Sequence, residues 1–204
     1  YGRYGINITA DSGFVCDDGI VKVLNNVISE IGGTDYTIGI AFQSYSYVSE
    51  DAPFTAIVYN NTISNVDNVG IRLRGDSLVY YVRNNIFTDN GIDYQVDDIT
   101  PGNGTTSTNI TSDATSPDGA SYQNKSVSFV NESASDFHLA SDDTAALGQG
   151  TDLSSDSNLA FTNDIDGHLR TSWDIGADEA SIEFDPTVME SGGDYSTLAL
   201  WETG

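Results

Sequence analysis

A pair of adjacent asparagines recurs in three segments of the chain, each time between two short runs of β-prone residues. After a variable insert, each segment is followed by a Gly-Ile pair and an alternating run, and a fourth such run opens the chain. The Asn pairs are Asn25-Asn26, Asn60-Asn61 and Asn84-Asn85, and the Gly-Ile pairs begin at Gly5, Gly39, Gly70 and Gly91. A period of about 20–35 residues with variable inserts predicts that each copy forms one coil of a solenoid.

The composition of the repeat favours a parallel β-helix over other repeat architectures. Its runs are too short and too rich in Val, Ile and Thr for helical repeats, and it has no leucine ladder. A propeller blade needs about 40–45 residues. Coils of two or three short strands, stacked about 4.8 Å apart, place equivalent side chains in ladders. We expect the following residues to face inward: Val58, Ile63, Ile71, Val82, Phe87 and Ile92.

The second asparagine of each pair is expected at a sharp corner of its coil. Asn tolerates the left-handed backbone that a corner requires, and its amide can bond to the equivalent amide of the next coil. Asn26, Asn61 and Asn85 are therefore expected to form a ladder. The glycines of the Gly-Ile pairs are expected to open the following strand, where the chain turns again.

Residues 58–64, followed by Gly70-Ile71, show the pattern most clearly, and the same pattern covers about residues 1–99. In this region the chain resembles the pectate-lyase-like superfamily of right-handed parallel β-helices. The resemblance implies a fold rather than a chemistry, because the superfamily contains lyases, hydrolases, tailspikes and noncatalytic surface proteins.

A different set of motifs follows the repeat. It contains Asp136-Phe137-His138-Leu139, then Asp164-Ile165-Asp166-Gly167 with Arg170, then Asp174-Ile175-Gly176-Ala177-Asp178-Glu179. Together these motifs resemble the C-terminal module of choice-of-anchor secreted surface proteins. We therefore expect an all-β chain in three parts: a right-handed parallel β-helix solenoid over residues 1–99, a small β-rich module over 100–182, and an extended segment over 183–204.

The charge of the chain limits its partners. It has 31 acidic and 7 basic residues, which give a net charge of −24. Nucleic acid is excluded as a partner, because binding a phosphate backbone needs a basic surface. No run approaches the roughly 18–20 apolar residues of a membrane span, so membrane insertion is not expected. Cys16 is the only cysteine, so no internal disulfide is expected, and a buried structural role is favoured for it.

Asp164 and Asp166 are the candidate metal ligands. Asn163-Asp164-Ile165-Asp166-Gly167 resembles part of a Ca²⁺ loop, in which alternating oxygen ligands and a glycine turn surround a hard cation. The bidentate acid that closes such a loop is not in place, and an Asx-type turn is the alternative. Ca²⁺ is the only cofactor that the sequence suggests.

Six Asn-x-Ser/Thr sequons are candidate glycosylation sites in an archaeal or eukaryotic secretory pathway, whereas in most bacteria they would be chance. They lie at Asn7, Asn60, Asn103, Asn109, Asn124 and Asn131.

No residue is assigned a catalytic role. Arg72 with Arg83 and Asp93 on the next coil could serve a polysaccharide lyase, but Arg beside Asp is usually a surface ion pair worth under about 1 kcal/mol. A glycoside hydrolase needs clustered carboxylates, of which only fragments are present, in two different modules. His138 is expected to be a packed structural residue and His168 an exposed turn residue.

These features together predict a noncatalytic extracellular structural protein, a subunit of a cell-surface layer or of a head-to-tail filament. Its expected partners are further copies of itself and glycans. Two alternatives stay open: an adhesin or carbohydrate-binding stalk, and a polysaccharide lyase or glycoside hydrolase. Exposed Tyr or Trp along one face would favour the adhesin, and an ordered carboxylate–base cluster in a groove would favour the enzyme.

The stretch 187–202 resembles the entry segment of a β-helix, although it stands after the module. The chain could be a piece of a tandem array. Alternatively, residues 183–204 dock on the first coil of a neighbouring subunit by β-strand addition, which generates a head-to-tail contact. Tyr195, Leu198 and Trp201 would then be the apolar anchors.

Deletion of residues 187–204 tests the docking hypothesis. Loss of the three apolar anchors should abolish assembly, as measured by sedimentation velocity and electron microscopy beside the full chain. A shortened chain that assembles as well as the full one would contradict the hypothesis.

Overall fold

The computed structural model describes residues 3–10, 19–44 and 54–180, which form fourteen β-strands and one short 3₁₀ helix at Glu132–Ala134. In chain order the strands are β1 (Arg3–Ala10), β2 (Ile20–Leu24), β3 (Val27–Ile31), β4 (Thr37–Ser44), β5 (Phe54–Tyr59), β6 (Thr62–Val66), β7 (Val69–Arg74), β8 (Leu78–Arg83), β9 (Ile86–Thr88), β10 (Ile92–Asp97), β11 (Gly104–Ser107), β12 (Ile110–Thr111), β13 (Phe129–Asn131) and β14 (Asp136–Leu139). Within these residues, no helix is long and apolar enough to cross a membrane.

Twelve of the strands form three parallel sheets of four strands each. The strand orders are β1-β4-β7-β10, β2-β5-β8-β11 and β3-β6-β9-β12, called here sheets A, B and C. The chain therefore visits the three sheets in turn and then returns to the first, one layer further along. This all-β arrangement is compatible with a parallel β-helix. The other two strands, β13 and β14, pair antiparallel.

The core between the sheets consists of apolar ladders. Val23, Val58 and Val82 are register partners in sheet B, and Ile63 pairs with Phe87 in sheet C. Five of the six residues expected to face inward are fully buried, which confirms them: Val58, Ile63, Ile71, Val82 and Phe87.

The prediction for the sixth residue, Ile92, is wrong, because its side chain is 39% exposed. The fourth Gly-Ile pair does not align with the earlier ones: Ile92 pairs with Val69, and Tyr94 takes the place opposite Ile71. The Tyr94 ring fills the core position instead. Gly91 thus lies two residues earlier in its coil than the repeat suggested. Ile92 also lies on β10, beyond which no further strand of the described residues adds to sheet A.

The expected asparagine ladder is present and is one member longer than predicted. Each side-chain Nδ2 donates to the Oδ1 of the next layer, and each backbone N–H donates to the same oxygen at 2.9–3.1 Å. The three Nδ2–Oδ1 steps run from Asn26 to Asn61, from Asn61 to Asn85 and from Asn85 to Asn109, at 2.9, 3.0 and 2.8 Å. The ladder ends at Asp118, whose Oδ2 accepts both groups of Asn109 at 2.8 Å.

The residue with the left-handed backbone is the one before each ladder asparagine. This corrects the expectation that a single asparagine both turns the chain and bonds to the next layer. The residues with positive φ are Asn25, Asn60, Asn84 and Thr108, at 50–56°. Each corner therefore has one residue that turns the chain and one that bonds along the stack.

Parallel pairing continues beyond residue 99, because β11 and β12 add a layer to sheets B and C. The loop that follows covers part of the last layer with side-chain oxygens. The backbone N–H of Asp93 donates to Asp113 Oδ2 at 3.1 Å, and that of Tyr94 donates to Thr115 Oγ1 at 3.0 Å. Strand groups that would otherwise be unpaired are thus satisfied within the chain.

Replacement of Asn85 by Leu tests the importance of the ladder. The change leaves Asn61 without its acceptor and Val58 O without the Asn85 Nδ2 donor, and each buried group that loses its partner costs about 1–3 kcal/mol. We expect Asn85→Leu to lower the free energy of unfolding by about 3–5 kcal/mol, measured as a lower urea midpoint at unchanged m-value.

The matched control is Asn131→Leu, the same change at an exposed residue, which should alter stability by no more than about 0.5 kcal/mol. Equal losses in the two variants would mean that the ladder has no special role.

Candidate functional site

The C-terminal stretch of the described chain, from about residue 146 to 180, lies along the corner that carries the Asn pairs. The first asparagine of each pair points its amide Nδ2 at this stretch, and Asn84 Nδ2 also donates to Oδ1 of Asn60 in the previous layer at 3.2 Å. The amide Nδ2 atoms donate to backbone carbonyls at 2.7–3.0 Å: Asn25 to Asn163, Asn60 to Asp174 and Gly176, and Asn84 to Thr151. We call this contact the seam. It is a function of the Asn-Asn pairs that the repeat alone did not indicate.

Gly176 shows how closely the two parts approach at the seam. Its N–H donates to the carbonyl of Asn84 at 2.8 Å, and its φ is +103°. A Cβ at this position would lie 2.5 Å from Ile86 Cδ1 and 2.9 Å from Thr62 Oγ1. The glycine of the Asp-Ile-Gly-Ala-Asp-Glu motif is therefore required both by its backbone conformation and by contact with the coils.

Arg170 is the central side chain of the seam and is fully buried. Its Nη2 donates to the carbonyls of Gly176 and Ala177 at 3.1 and 2.8 Å and to Oδ1 of Asn25 at 3.0 Å. Its Nη1 lies 3.6 Å from Oε2 of Glu179. Burial lowers the pKa of Arg170, and the nearby carboxylates oppose that shift. The guanidinium thus joins the Asp-Ile-Gly-Ala-Asp-Glu motif to the corner of the coils.

Glu179, the last residue of the motif, is an acceptor for backbone N–H groups. Its Oε1 accepts from the N–H groups of Thr171, Ser172 and Trp173 at 2.7–3.1 Å, and its Oε2 accepts from that of Asp174 at 2.8 Å. Burial alone would raise the pKa of Glu179, but the backbone donors outweigh it and the pKa is lowered. The negative charge of Glu179 therefore serves to bind backbone N–H groups inside the protein.

Asp164, one of the two candidate Ca²⁺ ligands, is also buried and bonded to backbone. Its Oδ1 accepts from the N–H groups of Asp166 and His168 at 3.0 and 2.7 Å, and its Oδ2 accepts from that of Glu179 at 3.1 Å. These are the bonds of an Asx-type turn. The side chain of Asp166 is 40% exposed, and the Ca²⁺ site stays a prediction.

His138 was expected to be a packed residue, but its side chain is 53% exposed, which corrects that expectation. Its Nδ1 lies 2.5 Å from Asp136 Oδ1, and its Nε2 lies 3.0 Å from Asp166 Oδ2. The bond to Asp136 raises the pKa of His138 to about 8. Asp178 lies nearby, is buried, and has its pKa raised by burial. The Asp-x-His alternation in β14 could have indicated two polar groups on one face of the strand, but not their partners from distant loops.

The basic residues that were considered for a lyase site pair with different carboxylates. Arg72 pairs with Asp97 at 2.9 Å, and Arg83 pairs with Asp156. Asp93 is buried, and burial raises its pKa. These residues are therefore not brought together around one point. His168 is exposed, as expected.

The six sequons fall into two groups. Asn60 and Asn109 are fully buried, and their amides are bonded to neighbouring groups. Asn7, Asn124 and Asn131 are exposed, and Asn103 is half-buried, with its Nδ2 donating to the carbonyl of Asp76. Glycosylation stays a prediction, and in the folded protein only the second group can carry a glycan without breaking the corner.

The proposed assembly residues Tyr195, Leu198 and Trp201 lie outside the described residues, as do Cys16 and the segment 183–204.

No protein-family model matches the chain, and no curated protein or solved structure matches it. The two resemblances inferred from motifs therefore stay predictions.

Arg170→Met tests the importance of the seam. Removal of the guanidinium leaves the buried Glu179 without its counter-charge and the carbonyl of Asp178 without its Arg170 donor, so we expect a loss of about 3–5 kcal/mol in the free energy of unfolding, measured by urea titration.

Arg72→Met is the matched control, since Arg72 forms a partly exposed pair and its loss should cost about 1 kcal/mol or less. If Arg170→Met is as mild as this control, the seam does not depend on its central charge.

Proposed function

We propose that this chain is a noncatalytic extracellular structural protein, built as a right-handed parallel β-helix with a C-terminal module clamped along one corner. It serves as a subunit of a cell-surface layer or of a head-to-tail filament, with further copies of itself as its partner and glycans on its surface.

The observation that carries the proposal is the use of buried polar groups at the corner and seam. One asparagine of each pair bonds along the stack, and the other bonds to the C-terminal stretch, from about residue 146 to 180. The buried Arg170 and Glu179 bond to backbone groups of the same stretch. Buried polar groups, which are unfavourable unless they are bonded, thus hold the coils and the C-terminal stretch together. Such an arrangement suits a subunit that transmits mechanical load.

The stacking of the coils supports the same role. Hydrogen bonds of the three sheets run from layer to layer, and the asparagine ladder adds a fourth line of bonds in that direction. Each coil is therefore linked to its neighbours on all sides of an apolar core. A body of this kind resists bending and extension along the stack.

The surface supports an extracellular location. The net charge of −24 keeps copies soluble by repulsion and attracts cations, which suits salt-rich surroundings. The exposed sequons at Asn7, Asn124 and Asn131 are accessible to glycosylation in a secretory pathway.

One observation favours a second candidate, a carbohydrate-binding stalk. The side chain of Tyr36, beside sheet A, is 45% exposed, and the Arg72 guanidinium lies 6.0 Å from its ring centroid. Tyr4, on β1, is also exposed. Exposed aromatic rings beside polar side chains can stack on sugar rings.

The test is to purify the full chain and follow its assembly across protein concentration and ionic strength, by sedimentation velocity and negative-stain electron microscopy. We expect rods or sheets that lengthen as salt screens the repulsion between acidic surfaces, and no cleavage of pectate or alginate.

Particles that stay monomeric under all conditions would contradict the structural role. Turnover of pectate or alginate that is lost in Arg72→Ala would show an enzyme instead. A protein that stays monomeric, and whose binding of sugar is lost in Tyr36→Ala, would favour the stalk.

A further inference from the structure

Three distant parts of the chain meet on the surface beside β14 and bring together a histidine and two aspartates. His138 comes from β14, Asp166 from the turn at residues 164–168, and Asp178 from the motif that forms the seam. Each offers one ligand atom, and these atoms all lie within 4.8 Å of one another. Nitrogen and carboxylate oxygen ligands in such a group fit a divalent metal ion.

The histidine is oriented as a metal ligand requires. Its Nδ1 lies 2.5 Å from the carboxylate of Asp136, two residues earlier on the same strand. This bond directs Nε2 toward Asp166, whose Oδ2 is 3.0 Å away. Histidine ligands of metal ions usually donate their other ring N–H to a carboxylate in this way, which fixes the tautomer and the ring. The oriented imidazole distinguishes this group from a merely acidic surface.

Asp178 provides the fixed side of the group. It is 6% exposed, and its Oδ2 accepts from the backbone N–H of Leu139 at 2.8 Å. No other hydrogen bond to its carboxylate is present among the described residues. A buried carboxylate with spare acceptor capacity, held in place by one backbone bond, is well suited to take up a cation.

Two surface cavities adjoin the group, and His138 and Asp178 line both of them. One has a volume of about 240 Å³ and is lined by His138, His168 and Asp178 among others. The second has a volume of about 140 Å³ and is lined by Asp136, His138, Asp166 and Asp178 among others. Both are large enough for a metal ion with its water ligands.

The distances need only a small adjustment. A tetrahedral ion with bonds of about 2.0–2.2 Å holds its ligand atoms about 3.4 Å apart. The side chains of His138 and Asp166 are 53% and 40% exposed, so both can move by the required amount while Asp178 stays in place.

We propose that His138 Nε2, Asp166 and Asp178 bind one divalent transition-metal ion of the Zn²⁺ class, with Asp136 as the positioning residue for His138 and water as the remaining ligand. On binding, Nε2 releases its proton to solvent and Nδ1–H stays bonded to Asp136.

The imidazole ligand sets the class of metal. Ca²⁺ and Mg²⁺ prefer oxygen ligands, whereas imidazole suits Zn²⁺ and its neighbours. The site is also distinct from the Ca²⁺ site expected at Asp164 and Asp166, because the oxygens of Asp164 are occupied by backbone N–H groups. Since the ligands come from three segments, the ion would tie β14 to the turn and to the seam and stabilise the folded module.

The experiment uses the full chain without an affinity tag, stripped with chelator and dialysed. Binding of Zn²⁺ is measured by isothermal titration calorimetry, binding of Co²⁺ by visible absorption, and the thermal midpoint with and without Zn²⁺. We expect one Zn²⁺ per chain, a higher midpoint with Zn²⁺, and no displacement by a hundredfold excess of Ca²⁺.

Three variants locate the site. His138→Gln should abolish binding, Asp136→Asn should weaken it by about 10–100-fold, and His168→Gln, the matched control, should leave it within about threefold. Should His138→Gln not fold in the absence of metal, as judged by circular dichroism, Asp166→Asn replaces it with the same expected loss.

Three results would overturn the proposal. The first is wild-type protein that binds no Zn²⁺. The second is binding that survives in both His138→Gln and Asp166→Asn, which indicates a diffuse acidic surface. The third is binding that His168→Gln abolishes, which assigns the metal to the neighbouring group of Asp164, Asp166 and His168.

Discussion

The amide ladder at the corner is the constraint on which the rest of the stack depends. Asn61 and Asn85 are fully buried, so each polar group they carry must be bonded within the protein. The side chain of each bonds both the next layer and backbone carbonyls, as Asn85 does to Val58 and Arg83. A slip of one residue between layers would break all of these bonds at once. The ladder thereby fixes the register in which the valines of sheet B and the isoleucines of sheet C stack.

The residue before the ladder gives the corner its second function. With φ near +50°, Asn60 directs its amide Nδ2 toward the stretch around Asp174, while its Oδ1 accepts from Asn84 Nδ2 of the next layer at 3.2 Å. The C-terminal stretch has few strand partners of its own, so it depends on hydrogen-bond donors and acceptors that the corner supplies. The Asn-Asn pair therefore encodes two contacts at once: the stacking of coils and the attachment of the C-terminal module along them. This explains why both positions are asparagine in three successive coils.

Sheets B and C followed from the sequence because their strands flank the Asn pairs directly, so an alignment of the pairs also aligns Val58 with Val82 and Ile63 with Phe87. Sheet A lies beyond an insert of variable length, where the Gly-Ile pair at Gly91 looks equivalent to the one at Gly70 but pairs two residues out of step. The seam and the group around His138 could not be predicted. Their contacts join irregular loops across distances such as Asn25 to Asn163, and no periodicity marks such pairs.

The acidic composition has two separate physical consequences. Between residues 141 and 180 the chain has almost no regular strand pairing, so its buried N–H groups need other acceptors. Asp143, Asp164, Asp174 and Glu179 supply them through bonds to backbone N–H groups. These carboxylates take the place of a sheet partner. Apart from the buried Asp93 and Asp178, the other acidic side chains of the described residues are partly or fully exposed, and there they repel other copies. Self-association of such a chain therefore requires either screening salt or cations held between carboxylates. An acidic surface that attracts cations also favours the binding of a metal ion by a histidine that lies on it.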